Sequence, residues 1–522
     1  MNLSLSRLTE EQVERAIRVA CLLSLPLLLF GNTSFFSPDA WTAYEISNTV
    51  FGDFYRENTA REYSTGGFYS SAFPPLWPVI MAVFKPLTGN IYGSLLAAFV
   101  AYALFALAAE WFARRAFGQR GIGLLSALLL SHFPGFAREL MSGRDRPLLL
   151  CELAIAGGLL IGVRKASWQR VALLGFVAGA MIMTRFDALP SALVIMAGAV
   201  LLGVRRGRIL VLVVAFAVAI SPWVIYSRTH FNASFASSNK WTAISVVRGD
   251  VYDYHVTPPL TLYDAPGAWI RKVLNNVRPI LEALGAGIGR SVFLPILVVL
   301  AALVALESRM AGAPSARAPA SVDWGALFIL VLATLAPYSG YLVTGYHDQR
   351  YFTITIWVAE LFALAYLARG GERFFRVTLV ALAVSSVVLT LVRPFFYGGK
   401  TPLESYRSQL DRSPVDTLVS CLRRAGADPS TPVLFQISRT LQPTPWTFGA
   451  LSRWRTLPLP SNWAWLDRSA RESFIRAYHA TFVVGTPVLD TGTGALMEVP
   501  VDCPIPLSRV TRVGAGDLHR PR

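Results

Sequence analysis

The chain has 522 residues, of which 53% are hydrophobic and 15% charged, and its mean hydropathy is +0.46. This composition is too apolar for an ordinary soluble enzyme and indicates a polytopic membrane protein. The formal net charge of +16 would suggest a nucleic-acid partner in a soluble chain, but here the basic residues lie largely at the ends of apolar stretches. Arginines at such positions contact lipid headgroups. We therefore expect membrane lipids, and no nucleic acid, among the partners.

The first predicted element is a short helix at 6–18 that leads into an apolar span at about 17–36. No small-residue cleavage site follows this span, so we predict an uncleaved anchor. After a polar segment at 37–72, a short helix begins in Phe73-Pro74-Pro75-Leu76-Trp77-Pro78 and ends near Thr88-Gly89. Since this helix is too short to cross a bilayer, we expect it to lie in the outer interface or to re-enter from it.

Further apolar segments bring the predicted number of membrane crossings to about eleven, several of them near the lower length limit for spanning. These segments are 91–113, 121–137, 147–163, 171–186, 188–204, 209–228, 288–308, 323–344, 350–368 and 374–392.

Arginine clusters without acids occupy every second break between the spans. They are Arg114–Arg120, Arg164–Arg170 and Arg205–Arg208, and Arg369–Arg376 extends the set with one acid, Glu372. Under the positive-inside rule these breaks face the cytoplasm. Segments 37–90 and 229–287 and the region from about 393 onward are then predicted to lie outside.

The remaining breaks, which this orientation places on the outer face, combine acids with arginines or histidine. They are Asp39–Glu62, Arg138–Arg146, Arg185 with Asp187, and His347–Arg350. Ionisable residues next to membrane spans are costly, so they are candidates for a catalytic or transport site.

From about Pro402 the pattern changes to that of a small α/β domain. Helical spacing and strand-like runs alternate, at Val415–Arg424, Pro432–Ile437, Arg471–His479 and Thr481–Gly485. We therefore predict an all-α polytopic membrane domain at 1–400 and a small extracytoplasmic α/β domain at 401–522.

The second domain also contains two of the four cysteines and a group of tryptophans. Cys421 and Cys503 can form a disulfide if the domain lies in an oxidising compartment, although sequence cannot show that the sulfurs meet. The tryptophans fit either stacking on sugars or, more simply, packing against the membrane domain and interfacial anchoring; they are Trp446, Trp454, Trp463 and Trp465.

The chain has no Walker loop, no dinucleotide-binding glycine motif after a strand, no HExxH and no GxSxG. ATP-driven transport by this chain alone is thereby disfavoured. Any chemistry must act on a substrate that is already activated.

In order and spacing, motifs over most of residues 1–400 resemble those of the GT-C membrane glycosyltransferases, which use polyprenyl-phosphate sugars. This superfamily includes protein O-mannosyltransferases, lipid A aminoarabinose transferases and arabinofuranosyltransferases. The motifs are Ser37-Pro38-Asp39-Ala40-Trp41…Tyr44-Glu45, the proline-rich helix ending in Thr88-Gly89, Arg144-Asp145-Arg146-Pro147, Gly175…Gly179…Thr184-Arg185-Phe186-Asp187, Ser221-Pro222-Trp223-Val224-Ile225-Tyr226 and Gln349-Arg350-Tyr351-Phe352.

The resemblance implies a GT-C-like fold and an inverting transfer of one sugar from a polyprenyl-phosphate donor. The acceptor would be a hydroxyl on a cell-envelope glycan, lipid or protein at the outer face of a bacterial plasma membrane. No organic cofactor is implied. Whether the reaction uses a divalent cation, and through which metal ligands, stays open.

Asp39 is the candidate catalytic base, because a carboxylate near the membrane surface can take the proton of an acceptor hydroxyl. The resemblance places an acidic residue here, often two in a row, whereas this chain has Asp39-Ala40; Glu45 and Asp53 are therefore substitutes. A simpler interpretation is that Asp39 caps a helix starting at Ala40. Asp145 is implied as a second acid, which orients the acceptor or binds a metal.

Guanidinium groups can hold the donor phosphate, and the candidates are Arg185, Arg350 and Arg144. For Arg185 the alternative partner is Asp187. For Arg144 and Asp145 the alternative is an interfacial ion-pair cluster with Arg138, Glu139 and Arg146. Secondary candidates are Lys240, Arg248 and His255 in the long outer loop, and His347 beside Arg350.

A transporter or flippase for lipids or oligosaccharides, without chemistry, is the alternative function. Such a protein is expected to have two repeated halves with Gly/Pro-broken spans and a site near mid-bilayer. Here the charges gather at one edge, which favours the transferase. A ligase or polymerase for whole oligosaccharides would also have its site at the outer face. Only the family resemblance distinguishes this function from the transfer of a single sugar.

Overall fold

The computed structural model of the chain is mainly helical as far as residue 424 and mixed beyond it. It describes residues 9–31, 36–50, 73–237, 239–246, 260–310, 323–368, 372–396, 410–435, 444–459, 475, 480, 482–485, 498–501 and 509–513.

The helices of the first half follow one another with short connections. They are α1 (Glu10–Gly31), α2 (Pro38–Ser47), α3 (Leu76–Thr88), α4 (Tyr92–Phe117), α5 (Ile122–Leu130), α6 (Pro134–Met141), α7 (Arg146–Leu160), α8 (Trp168–Thr184), α9 (Leu189–Leu201) and α10 (Arg206–Phe231). The short α3 helix ends at Gly89, whose φ of +71° is the left-handed conformation that glycine adopts easily.

The second half of the membrane domain contains two helices within the predicted outer loop 229–287. The helices are α11 (Asn239–Ile244), α12 (Pro266–Arg290), α13 (Leu294–Met310), α14 (Trp324–Leu335), α15 (Pro337–Thr344), α16 (Thr353–Leu367) and α17 (Glu372–Phe396). The prediction of a plain loop was incomplete, because α12 alone has 25 residues.

Among the described residues, five helical segments are long and apolar enough to cross a membrane: 92–117, 206–231, 324–344, 349–367 and 374–392. A sixth is added if α12 and α13 count as one span, although they are bent by 80° at their junction. Shorter apolar helices occupy 76–88, 168–184 and 186–201. The multi-pass membrane character is confirmed, while the number of eleven crossings stays a prediction.

The two alternating sets of polar breaks lie at opposite ends of the helix bundle. At one end, Arg115 donates to Ile161 O at 3.3 Å and Arg170 donates to Leu159 O at 2.9 Å, so that both reach the carboxyl end of α7. The acids and arginines of the other set surround Arg146, the first residue of α7. Since α7 has 15 residues, the two ends are about 20 Å apart.

The main core of the bundle lies where α4, α5, α7 and α16 meet. Trp357 is fully buried there, packs edge-on against Phe105 with ring centroids 5.2 Å apart, and donates to Ser126 Oγ at 3.1 Å. Close helix packing depends on glycine at Gly123, where a Cβ would come within 2.2 Å of Ala109 O, and at Gly175, where it would come equally close to Leu212 O.

The C-terminal region forms the small α/β domain that the sequence predicts. It contains α18 (Ser413–Arg424), β1 (Val433–Phe435), α19 (Pro445–Ser452), β2 (Thr456–Pro458), β3 (Phe482–Gly485), β4 (Glu498–Val501) and β5 (Arg509–Val513). The strand order is β2-β1-β3-β5-β4, with β1 parallel to β2 and β3, and β5 antiparallel to β3 and β4. The predicted strands at 432–437 and 481–485 are confirmed, whereas most of the predicted helix at 471–479 lies outside the described residues.

This domain packs onto the membrane domain through α19, which contacts α2. Trp446 on α19 packs against the main core, and Trp454 is buried in the core of the small domain. Both therefore have packing roles, while Trp463 and Trp465 lie outside the described residues. Cys421 is disulfide-bonded, as the sequence allowed, and its predicted partner Cys503 lies outside the described residues as well.

Candidate functional site

Four arginines and four carboxylates meet at the end of the bundle where α2, α6, α7 and α8 come together. They are Arg144, Arg146, Arg185, Arg350, Asp39, Glu139, Asp145 and Asp187. We call this group the arginine cluster. Of the main candidates for phosphate binding and proton transfer, Asp39, Asp145, Arg144, Arg185 and Arg350 belong to it.

Glu139, on α6, lies at the centre of the cluster. Its Oε1 accepts from Arg144 Nη1 at 2.6 Å and lies 3.7 Å from Arg350 Nη1, and its Oε2 lies 3.9 Å from Arg185 Nη1. Burial alone would raise the pKa of Glu139, but the positive charges of Arg144, Arg350, Arg146 and Arg185 outweigh it and hold the pKa below its ordinary value. Glu139 is therefore an anion that keeps three guanidinium groups close together.

Local backbone geometry places Arg144 over Glu139. Gly143 has a φ of +69°, and the Arg144 amide donates to Glu139 O at 3.1 Å while the Gly143 amide donates to Leu140 O at 3.2 Å. This is the hydrogen-bond pattern of a Schellman motif, which turns the chain back at the end of α6. A Cβ on Gly143 would also lie 2.3 Å from Ser94 Oγ, so only glycine fits this turn.

Arg185 ends α8 in an extended conformation and bridges two acids. Its Nη1 donates to Asp145 Oδ1 at 2.9 Å and its Nε donates to Asp187 Oδ1 at 3.0 Å. The ion pair between Arg185 and Asp187, the alternative to phosphate binding, is therefore present in the structure. Asp187 also accepts from the Tyr341 hydroxyl at 3.0 Å.

Arg146, the first residue of α7, lies near Asp187 and is fully buried. Its Nη2 lies 3.8 Å from Asp187 Oδ2, and none of its three guanidinium nitrogens has a hydrogen-bond partner among the described residues. A buried charge that is only loosely paired is expensive. Such a residue is typical of a functional site rather than of a stabilising ion pair.

Arg350 reaches the cluster from the short 3-10 turn Gln349–Phe352, far from Glu139 in sequence. Gly135, the second residue of α6, makes the approach possible, because a Cβ there would lie 3.1 Å from Arg350 Cα. The guanidinium also lies over the Tyr351 ring, 5.0 Å from its centroid. The Arg350 side chain is 19% exposed, the most accessible of the four arginines of the cluster.

Asp39 lies in the first turn of α2 and forms an ion pair with Arg144. Its side chain is 24% exposed, which makes it the most exposed of the four carboxylates. The interpretation that Asp39 caps α2 is wrong, because Ser37 is the N-cap and its Oγ accepts from the Ala40 amide at 3.1 Å. Asp39 instead belongs to the arginine cluster through Arg144.

The other candidates do not lie in the described part of the cluster. Glu45 is buried on α2 about 120° around the helix from Asp39. His347 is exposed, and its Nδ1 lies 2.8 Å from Gly345 O. Lys240 belongs to α11, with a side chain that is not described, and Arg248, His255 and Asp53 lie outside the described residues.

The predicted ion-pair cluster between Arg138 and Arg146 is present in part: Arg144 pairs with Glu139, whereas Asp145 pairs with Arg185 and Arg146 lies near Asp187. Arg138 is exposed, whereas Glu139, Arg144, Asp145 and Arg146 are all buried. The described residues contain no group of three or more His, Cys, Asp and Glu side chains placed to hold a metal ion.

Sequence reasoning missed Glu139 and Arg146 as site residues. A signal for Glu139 was present, since Phe136, Glu139 and Leu140 share one helical face and an acid on an apolar face must have a partner. Arg146 has no comparable signal, because its nearest acid, Asp187, lies 41 positions further along the chain.

No family model and no curated protein matches the chain. Among solved structures, it is similar to ArnT from Cupriavidus metallidurans bound to undecaprenyl phosphate, with 14% identity, a TM-score of 0.43, and coverage of 99% of this chain and 100% of that chain. It is also similar to the same protein in the apo state, with 13% identity, a TM-score of 0.40, and coverage of 95% and 97%.

Proposed function

We propose that this chain is a membrane glycosyltransferase of the GT-C type. It moves a sugar from a polyprenyl-phosphate donor to a hydroxyl of a cell-envelope glycan, lipid or protein at the outer face of a bacterial plasma membrane. The observation that carries the proposal is the arginine cluster, where three arginines converge on Glu139 and an accessible carboxylate, Asp39, lies at the rim.

The cluster has the chemical groups that the transfer needs. Arg185 and Arg350 are positively charged and partly accessible, with side chains 13% and 19% exposed, so a lipid phosphate at the membrane edge can bind them. Pre-organised cations also stabilise the charge that develops on a leaving phosphate. A phosphate leaves as a stable anion and therefore needs no acid.

In the proposed step the acceptor oxygen attacks the anomeric carbon of the donor sugar. The new carbon–oxygen bond forms as the bond between that carbon and the phosphate oxygen breaks, and its electron pair stays on the phosphate held by Arg185 and Arg350. The proton of the acceptor hydroxyl passes to the Asp39 carboxylate. A single displacement of this kind inverts the anomeric configuration.

A transporter without chemistry is expected to bind its cargo near mid-bilayer. The arginine cluster instead lies at helix ends, between the last turn of α6, the start of α7 and the end of α8. This location favours the transferase, and the experiment below also tests the transporter.

The proposal is tested by comparing the cell-envelope glycans and lipids of a deletion strain with those of the parent by mass spectrometry. We expect one sugar residue to disappear, and to return when the wild-type gene is supplied but not when an Asp39→Asn variant is supplied. Restoration by both genes would contradict the transferase and favour the transporter, and an unchanged envelope would contradict the proposed role.

The proposed orientation predicts the accessibility of two engineered cysteines. A cysteine at Gly207, within the Arg205–Arg208 cluster, should react with a membrane-impermeant maleimide only after the cytoplasmic side is opened, and a cysteine at the exposed Asp416 should react in intact spheroplasts. The Cys421 disulfide supports an oxidising compartment for the second site. Labelling of both cysteines from the same side would show that the orientation is wrong.

A further inference from the structure

Arg144 is shared between two carboxylates that differ in accessibility. Its Nη1 donates to Glu139, whose side chain is 1% exposed, and its Nη2 donates to Asp39, whose side chain is 24% exposed. Glu139 lies deep among the other arginines, so Nη1 is turned away from solvent. The Asp39 side of Arg144 is therefore the more exposed side.

An anion that approaches from solvent therefore meets Arg144 first on the side where the Asp39 carboxylate lies. We infer that the donor phosphate and Asp39 compete for Arg144, so that donor binding draws this guanidinium away from the proposed base. The inference rests on the proposed function. Its consequence is an order of events, because Asp39 is a poorer proton acceptor while it is paired with a guanidinium than after that partner has turned to a phosphate.

The competition can be measured by binding alone, with undecaprenyl phosphate as the probe and the full chain in nanodiscs. Asp39→Asn removes the competitor, so the probe should bind roughly twofold to tenfold more tightly than to the wild type, the range expected for a partly exposed ion pair. Arg144→Gln should weaken binding. In the Arg144→Gln background, Asp39→Asn should change binding by less than about twofold.

Loss of any negative charge near the site also favours an anion, and Asp348→Asn controls for this effect. Asp348 lies at the rim, 3.9 Å from Arg350 Nε, and does not pair with Arg144. We expect its removal to tighten binding less than Asp39→Asn does. Asp39→Ala serves as a second variant, and the unfolding temperature of each variant checks that it is folded.

Unchanged or weaker binding by Asp39→Asn would overturn the inference, as would an equal gain in the wild-type and Arg144→Gln backgrounds. If the wild type transfers sugar and binds the probe while these results are negative, only the inference fails. If the wild type neither binds the probe nor transfers sugar, the proposed function fails with it.

Discussion

Replacing Asp39 with Asn should reduce turnover by roughly 10²–10⁴-fold, the usual contribution of a positioned general base. The amide keeps the size of the side chain but cannot accept the acceptor proton. Because Ser37 rather than Asp39 caps α2, the substitution should leave the helix and the unfolding temperature nearly unchanged. The measurement is the initial rate of sugar transfer together with the binding of undecaprenyl phosphate.

Variants of the two alternative bases serve as controls. Glu45→Gln and Asp53→Asn should have much smaller effects, since Glu45 lies on another face of α2. Near-normal turnover of Asp39→Asn would transfer the role of base to one of these acids. Near-normal function of all three variants would rule out the proposed mechanism and favour transport without chemistry.

Replacing Arg185 or Arg350 with Ala should weaken use of the donor by about 10- to 100-fold each, the range for a hydrogen bond between charged groups. Lys at either position should recover part of this loss, because a phosphate also accepts a point charge, although without the fork geometry of Arg. The measurement is the dependence of the transfer rate on donor concentration.

The control is Arg138→Ala, an exposed arginine of the same α6 helix that takes no part in the cluster's ion pairs. Its effect on donor use should be small. Removing Arg185 also leaves Asp145 and Asp187 without their main partner, so the unfolding temperature must be measured in parallel. If both Ala variants keep normal activity and merely express poorly, these arginines are structural.

The elements that sequence predicted best are those with a local cause. Gly89 ends α3 because its left-handed backbone stops a helix, and the strand at Phe482–Gly485 is a short run of apolar residues. The alternation of arginine clusters depends on the cost of moving charge through a bilayer, and it correctly separated the two ends of the bundle. The same alternation assigned Asp39, Arg144, Arg185 and Arg350 to one set of breaks, and the structure brings these four residues together.

What sequence could not supply has a physical reason in each case. The segment of α12 was predicted as part of the outer loop 229–287, and its helix has charged residues and Pro279 between the apolar positions, unlike an apolar span. Ser37 took the capping role because Pro38 is suited to the first helical position, which makes the preceding residue the cap. The meeting of Arg350 with Glu139 depends on a close approach at Gly135 that no spacing rule describes.

The position of Asp39 inside the arginine cluster, where it pairs with Arg144, has an electrical consequence for the proposed reaction. The donor phosphodiester has one negative charge, and the monoester released from it has nearly two at neutral pH, by analogy with other phosphate monoesters. At the same step Asp39 accepts a proton and loses its charge. The total charge within the site therefore stays constant, so no counterion has to move through the protein during turnover.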